Sequence, residues 1–390
     1  MKKLKFYLFL IVVVLSLGLI GCGDQETASN ETNNIAQEAN EEKKEIRFKD
    51  ILGREIVLEK PAERVFLGFY FESFLAIDGS FDKVAVMSKG EWRDFFYSQY
   101  VKYEQDMPEL KDIMDSGSIY CGKFSMERLI NANPDVAILA PFQYETLGEN
   151  VQKLEAAGIP VVVVDYNAQT VEKHIASTEI IGKVMGKEER AKQLADEYVA
   201  AVKDVQKRVE KYKDSPKRVY IELANKGAKV YGNSYGNYMW GNLVKLAGGK
   251  NIAAEKIKSY GALSPEYILS VDPEVIFFAG LTFSDPSKDF IPMGFNVDDE
   301  ATQEKLKDYP NRPGWERLTA IKNKEVYCMD HSGLRSLYDY VYLQYIGKAL
   351  YPEAFEDVDP IKNHNAFYEK YLPGIDANGN FMTKWRVDNE

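Results

Sequence analysis

The chain has 390 residues, of which 49 are Lys or Arg and 60 are Asp or Glu, and its formal net charge at pH 7 is −11. This acidic balance argues against nucleic acid as a partner, because phosphate binding requires clustered basic residues. The three cysteines and three histidines are too few and too widely spaced for a disulfide framework or a metal cluster of recognisable spacing.

The amino terminus carries targeting information. Three lysines precede an uncharged apolar run over residues 6–20, which is shorter than a typical transmembrane helix. This pattern is typical of a signal peptide, which we predict for residues 1–21. The run ends in LIGC, which resembles the bacterial lipobox, and this resemblance implies cleavage before Cys22 and a lipid on its sulfur. An ordinary secretory signal with an incidental cysteine is the alternative. Removal of residues 1–21 makes the net charge about −14.

Residues 22–44 contain no aromatic residue and one large apolar residue, Ile35, so we expect a flexible tether. Folded sequence begins at Glu45, where alternation on both sides of Gly53 predicts a β-hairpin. We expect Cys121 and Cys328 to be buried or half-buried thiols, with a single long-range disulfide as the alternative.

The remaining chain has the rhythm of an α/β protein. A first lobe over residues 45–168 is predicted from apolar runs at 64–68, 83–87, 135–139 and 160–164, which suit buried parallel strands. Residues 169–214 form a predicted helical region that connects to the second lobe, with a break near Gly186. The second lobe, residues 215–390, has predicted strands at 218–223, 275–279 and 325–329. The expected fold is therefore two Rossmann-like lobes with parallel sheets, joined by a long backbone helix.

Both lobes contain one local pattern. A short helix with an acid in its first turn, Glu127 or Glu266, is followed seven residues later by a proline, Pro134 or Pro273, and then by a strand. This duplication predicts two lobes that face each other across a cleft.

From Phe48 to about Leu372 the sequence resembles the class III periplasmic binding proteins, which serve ABC importers of iron siderophores, haem and vitamin B12. The stretches that carry the resemblance are 50–54, 63–65, 126–139, 247–253, 263–278, 313–327 and 349–353. The resemblance implies a shallow cleft, little closure on binding, an ABC permease with its ATPase as partners, and docking on the permease through Glu127 and Glu266. The alternative role for these two acids is to complement their helix amino termini.

Ligand contacts are expected in the loops that follow the strands, where open α/β sheets present their crevice. The predicted ligand-binding residues are Tyr70, Trp92, Arg93, Tyr120, Tyr144, Tyr235, Tyr238, Trp240, His331 and Arg335. Aromatic rings and forked guanidinium groups suit an anionic ferric siderophore or a similar iron chelate. For any single tyrosine, the alternative is a structural ring.

Several other functions stay open. His331 and a tyrosine of the other lobe could ligate haem iron, cobalamin could be the ligand, or tyrosinates could bind bare ferric iron. A ligand-sensing surface receptor is an alternative of another class. Enzymatic motifs are absent from the sequence. We expect a monomer without a resident cofactor, bound to the outer face of the cytoplasmic membrane by its lipid.

Overall fold

A computed structural model describes residues 45–387. The predicted signal peptide, Cys22 and the tether lie outside the described residues. The chain enters the fold through an antiparallel hairpin of β1 (Ile46–Lys49) and β2 (Glu55–Leu58) that turns at Gly53, where φ is +79°. The hairpin predicted around Gly53 is confirmed.

The first lobe has a five-stranded parallel sheet. Its strands and a small antiparallel ribbon are β3 (Val65–Leu67), β4 (Val84–Met87), β5 (Met114–Asp115), β6 (Gly117–Ser118), β7 (Lys123–Phe124), β8 (Val136–Leu139) and β9 (Val161–Val163). The sheet order is β5-β4-β3-β8-β9, and β6 pairs with β7. The helices are α1 (Phe71–Asp78), α2 (Lys89–Phe95), α3 (Tyr97–Asp106), α4 (Met126–Asn131), α5 (Pro141–Leu147) and α6 (Asn150–Ala156). The four predicted strands are β3, β4, β8 and β9.

Two antiparallel-packed helices connect the lobes, α7 (Val171–Met185) and α8 (Glu188–Val209). Gly186 ends α7 in a left-handed conformation with φ +66°, as the break in the helical pattern predicted. Helix α7 packs on α1 of the first lobe, and α8 packs on two helices of the second lobe, α9 (Trp240–Leu246) and α13 (Tyr340–Leu350). The buried face of α8 follows a 3.6-residue period through Leu194, Tyr198, Val202 and Val205. Each such side chain stabilises the fold by about 1.5–3 kcal/mol.

The second lobe has a mixed five-stranded sheet of order β12-β10-β14-β16-β18, in which β18 is antiparallel. The strands are β10 (Arg218–Leu223), β11 (Ser234–Tyr235), β12 (Lys250–Asn251), β13 (Tyr260–Gly261), β14 (Val275–Gly280), β15 (Gly294–Phe295), β16 (Val326–Asp330), β17 (Gly379–Asn380) and β18 (Met382–Lys384). The helices are α9 (Trp240–Leu246), α10 (Pro265–Val271), α11 (Asp299–Leu306), α12 (Thr319–Lys322), α13 (Tyr340–Leu350) and α14 (Pro360–Tyr371).

The repeated motif forms the same local structure in both lobes. Ser125 caps α4 by accepting a hydrogen bond from the Arg128 amide, and Ser264 caps α10 in the same way through the Tyr267 amide. Glu127 and Glu266 therefore both lie exposed in the first turn of a capped helix.

The repeat also extends beyond the helix in each lobe. The acid after the proline, Asp135 or Glu274, accepts a hydrogen bond from the amide of an arginine, which directly precedes β3 in the first lobe and begins β10 in the second. That arginine, Arg64 or Arg218, donates in turn to the carbonyl of the residue before the proline. The internal duplication predicted from the sequence is thus present in the hydrogen bonding as well.

The first lobe also contacts the second directly, through the start of α3. The amides of Tyr97 and Ser98 donate to the carbonyl and hydroxyl oxygens of Thr282, at 3.1 and 2.7 Å. Since Thr282 follows β14, this contact joins the lobes at one side of the space between them.

Candidate ligand-binding cleft

A cleft of about 400 Å³ lies where the loops after the central strands of both lobes converge. Open α/β sheets present their binding crevice at this edge. The lining residues are Phe69, Glu91, Phe95, Phe96, Tyr120, Phe142, Asn167, Leu223, Asn225, Asn233, Tyr238, Met239, Tyr260, Leu281, Phe283, Lys288, His331 and Arg335. The volume falls in the range that proteins use for small-molecule ligands.

The wall from the first lobe is aromatic. The Phe142 ring contacts Phe69 and Tyr120 edge to face, with centroid distances of 5.2 and 5.9 Å. Tyr120 is 56% exposed, as is Tyr260 on the opposite side. Rigid rings with few rotatable bonds bind a ligand at a low cost in conformational entropy.

Arg335 supplies a buried positive charge at the base of the cleft. Arg335 is 7% exposed, and its guanidinium lies 5.0 Å from the Phe96 ring centroid. One guanidinium nitrogen donates to the His331 carbonyl at 3.2 Å, and within residues 45–387 no carboxylate lies within ion-pair distance. Burial lowers the pKa of Arg335. Asp330 interacts with this charge from beyond ion-pair distance, so the cation has no direct carboxylate partner and favours an anionic ligand.

The backbone around the cleft is held in a conformation that non-glycine residues rarely adopt. Tyr70, Met239 and Arg335 have φ values of 57°, 49° and 75°. Left-handed residues of this kind persist only where the surrounding structure imposes them, and they concentrate at functional sites.

His331 lines the cleft as a neutral ring. The Trp240 indole nitrogen donates to His331 Nδ1 at 2.8 Å. Because an indole can only donate, His331 Nδ1 is the acceptor of this hydrogen bond. Burial and the neighbouring Arg335 keep the pKa of His331 well below its usual value. Arg335 Nη1 lies 3.5 Å from Nε2 and would repel a ferric ion bound there, so the geometry disfavours His331 as a haem ligand.

Direct binding of bare ferric iron is also disfavoured. Burial raises the pKa values of Tyr70, Tyr235 and Tyr238, which opposes formation of tyrosinate. The described part of the chain also contains no group of three or more His, Cys, Asp or Glu side chains that could hold a metal ion.

The predicted ligand-binding residues fall into groups. Tyr120, Tyr238, His331 and Arg335 line the cleft. Three others support the lining from behind: Tyr70 donates to Asn167, Trp240 donates to His331, and the Tyr235 ring stacks near His331 at 6.3 Å.

The structure corrects the expected positions of Trp92, Arg93 and Tyr144. Trp92 is fully buried and stacks on Phe71, because this face of α2 packs into the core. The Arg93 guanidinium pairs with Asp94 and Asp115, and Tyr144 packs against the guanidinium of Arg54. None of the three lines the cleft.

Other lining residues were missed. Asn167 and Asn225 follow β9 and β10 closely, so the rule that ligands bind after strand ends could have found them. Tyr260 lies in the two-residue strand β13 and Lys288 lies in an irregular segment, and neither is long enough or regular enough to give a periodic signal that points to the cleft.

The comparisons with known proteins agree with this architecture. A family model described as periplasmic binding protein matches residues 95–332, more than half of the chain. The chain belongs to the periplasmic binding protein family.

Individual members of the family match over most of their length. The crystal structure of the TroA-like periplasmic binding protein FepB from Veillonella parvula has a TM-score of 0.80 and 32% identity, covering 87% of this chain and all of that one. The molybdate-binding protein MolA of Haemophilus influenzae is 25% identical, covering 80% of this chain and 84% of the relative. The iron-uptake system-binding protein of Bacillus subtilis is 24% identical, covering 84% and 90%.

Membership settles the class of protein. Periplasmic binding proteins are the substrate-binding components of ABC importers and are not enzymes, and they act outside the cytoplasm. The described helices include none that is long and apolar enough to cross a membrane.

Proposed function

We propose that this periplasmic binding protein captures a ferric siderophore, or a similar anionic ferric chelate, and delivers it to an ABC permease and its ATPase. The single observation that carries the proposal is Arg335, a buried guanidinium without a carboxylate partner at the base of an aromatic cleft. Lys288, which lines the cleft from a loop of the second lobe, adds a second positive charge.

The composition of the cleft supports a chelate over a bare ion. Rings such as Phe142, Tyr120 and Tyr238 offer apolar area to the organic part of a chelate, and the guanidinium forks onto its oxygens. The iron would keep its own ligands, which is consistent with the raised pKa of Tyr238 and with the Arg335 guanidinium beside His331 Nε2. The relative named for iron uptake points in the same direction.

In this proposal the chain is a monomer anchored by a lipid on Cys22, and Glu127 and Glu266 dock on the permease. The anchor rests on the sequence LIGC after the apolar run. Docking is supported by exposed acids placed alike on the two lobes, because a charge on each lobe sets the register of a two-point contact.

A binding titration tests the ligand. The purified protein is titrated with catecholate, hydroxamate and carboxylate ferric chelates, and separately with haem, cobalamin and molybdate, while intrinsic fluorescence and absorbance are recorded. The proposal predicts saturable binding of a ferric chelate and no sharp Soret band with haem. Saturation by haem, cobalamin or molybdate alone would contradict it.

A further inference from the structure

A second, smaller cavity of about 30 Å³ adjoins the cleft and lies between the start of α1, helix α3 and the loop after β16. It shares Phe69, Phe96 and Arg335 with the larger cleft. A water molecule needs roughly 10–15 Å³ of such volume. The cavity therefore has room for two waters or for one small anionic group, and not for a whole chelate.

The amino terminus of α1 opens onto this cavity. Tyr70 precedes the helix without a side-chain cap. In the described part of the chain, the backbone amides of Phe71, Glu72 and Ser73 have no protein acceptor, and all three residues line the cavity. Free amides at a helix amino terminus carry a partial positive charge and bind anions.

Gln99 provides an independent sign of a missing acceptor. The Trp92 indole donates to Gln99 Oε1 at 2.7 Å, and this fixes the orientation of the amide because an indole nitrogen cannot accept. The other end of the amide, Nε2, is a buried donor without a partner in residues 45–387, and Gln99 is 4% exposed. Since Gln99 lines the cavity, an acceptor placed there would satisfy it.

The carboxyl group in the cavity lining does not fill this role. Both oxygens of Glu72 accept hydroxyl groups, from Tyr103 and Tyr368 on one oxygen and from Tyr338 on the other. Within residues 45–387, the close partners of the Arg335 guanidinium are His331 and the Phe96 ring, and Asp330 interacts with it from beyond ion-pair distance. The donors around the cavity thus outnumber the acceptors.

From this geometry we infer that the cavity is a subsite for one small anionic group, such as a carboxylate, held by the α1 amides, Gln99 Nε2 and Arg335. The inference rests on the proposed function, because the group in question is an arm of the captured chelate. A free anion of the same size is the other source of that chemistry.

The test uses a substituted side chain of the protein itself to place a carboxylate in the subsite. Ser73, in the first turn of α1, lines the cavity, so Ser73→Asp fills it with a negative charge while complementing the helix dipole. Ser73→Asn is the neutral variant of equal size. Ser215→Asp adds the same charge on an exposed loop before β10, away from the cleft.

The probes are two forms of one ferric hydroxamate chelate that carries a carboxylate arm. In the first form the arm is the free acid, and in the second it is the methyl ester. We expect Ser73→Asp to weaken binding of the free acid at least about tenfold more than Ser73→Asn does, since a lost charge-assisted contact has that effect. The ester should show no such difference, and Ser215→Asp should leave both affinities unchanged.

A second measurement does not depend on chelate binding. Crystals of the protein soaked in sodium bromide should show an anomalous peak between the Phe71 amide, Gln99 Nε2 and Arg335, and crystals of Ser73→Asp should not. A bromide peak without discrimination between acid and ester supports the anion site and identifies a free anion as its occupant. The inference is overturned if the peak is absent and the two Ser73 variants bind the free acid alike. Failure of the proposed function is distinct, because no chelate would then bind the wild-type protein.

Discussion

At the scale of single residues, Arg335 decides the preference for an anion. Replacement by Gln keeps a hydrogen-bonding side chain but removes the charge, and we expect affinity for the anionic ferric chelate to fall about tenfold to a hundredfold. The melting temperature should not drop, because the variant removes a buried charge that lacks a carboxylate partner. Isothermal titration calorimetry and thermal melts measure both effects.

Arg93→Gln is the matched control for this prediction. Its guanidinium is half exposed, is paired with Asp94 and Asp115, and does not line the cleft. We expect its affinity to stay near that of the wild type. Equal losses in the two variants would mean that the charge of Arg335 acts only through the net charge of the protein.

Glu72 makes the stability of the protein depend on pH. Burial, opposed in part by its tyrosine partners, raises the pKa of Glu72 to about 7. The native state therefore holds a proton that the unfolded state has released above the ordinary pKa of about 4.5. Its contribution to stability is fully present below that value and is lost as the pH rises through 7.

Glu72→Gln removes this dependence. Relative to the variant, the wild type should lose on the order of 3 kcal/mol of unfolding free energy between pH 4.5 and 7. Urea unfolding at a series of pH values measures the difference between the wild type and the variant. The contributions of other groups cancel in this difference, including that of Asp330, because burial raises its pKa to about 6 in both proteins. A difference that does not change with pH would show that folding does not raise the pKa of Glu72.

At the scale of elements, the turn between α7 and α8 depends on Gly186. Its φ of +66° lies in the left-handed region, and an added Cβ would approach Pro61 to 3.0 Å. We expect Gly186→Ala to destabilise the protein by about 1–2 kcal/mol, since an alanine Cβ strains the left-handed conformation that glycine adopts freely. Gly374→Ala is the control, because that position has open space around it and no positive φ. Chemical unfolding that ranks the two variants in the opposite order would contradict this account.

The central strands of both lobes and the α7–α8 hairpin could be predicted because their signals are local. β3 and β14 are continuous apolar runs, and α8 repeats buried residues every three or four positions. The edge strands β5, β12 and β18 could not be predicted, since two or three residues carry no periodicity and form strands only through pairing with a neighbour.

The site was harder to predict than the fold for a similar reason. Proximity to a strand end identified His331, Arg335 and Tyr238, but it does not tell which face of α2 points inward. Trp92 was therefore expected at the cleft and lies in the core. Tertiary packing, and not sequence distance, separates a cleft residue from a core residue.

At the scale of the whole molecule, delivery requires a docking surface on each lobe. Reversal of both acids in Glu127→Lys/Glu266→Lys should leave chelate affinity unchanged, because neither residue lines the cleft, and should lower uptake of radioactive iron chelate by cells at least about tenfold. The matched control reverses the exposed acids Glu109 and Glu356, which lie outside α4 and α10. Undiminished uptake in the first variant would contradict the docking role of Glu127 and Glu266.

The most direct test of the account is the position of iron in the loaded protein. Crystals grown with the ferric chelate that saturates the protein are measured at the iron absorption edge. We expect one anomalous peak inside the cleft, between the aromatic wall at Phe142 and Tyr238 and the guanidinium of Arg335, at a distance from His331 Nε2 too long for a bond. An iron peak bonded to His331, or one outside the cleft, would contradict it.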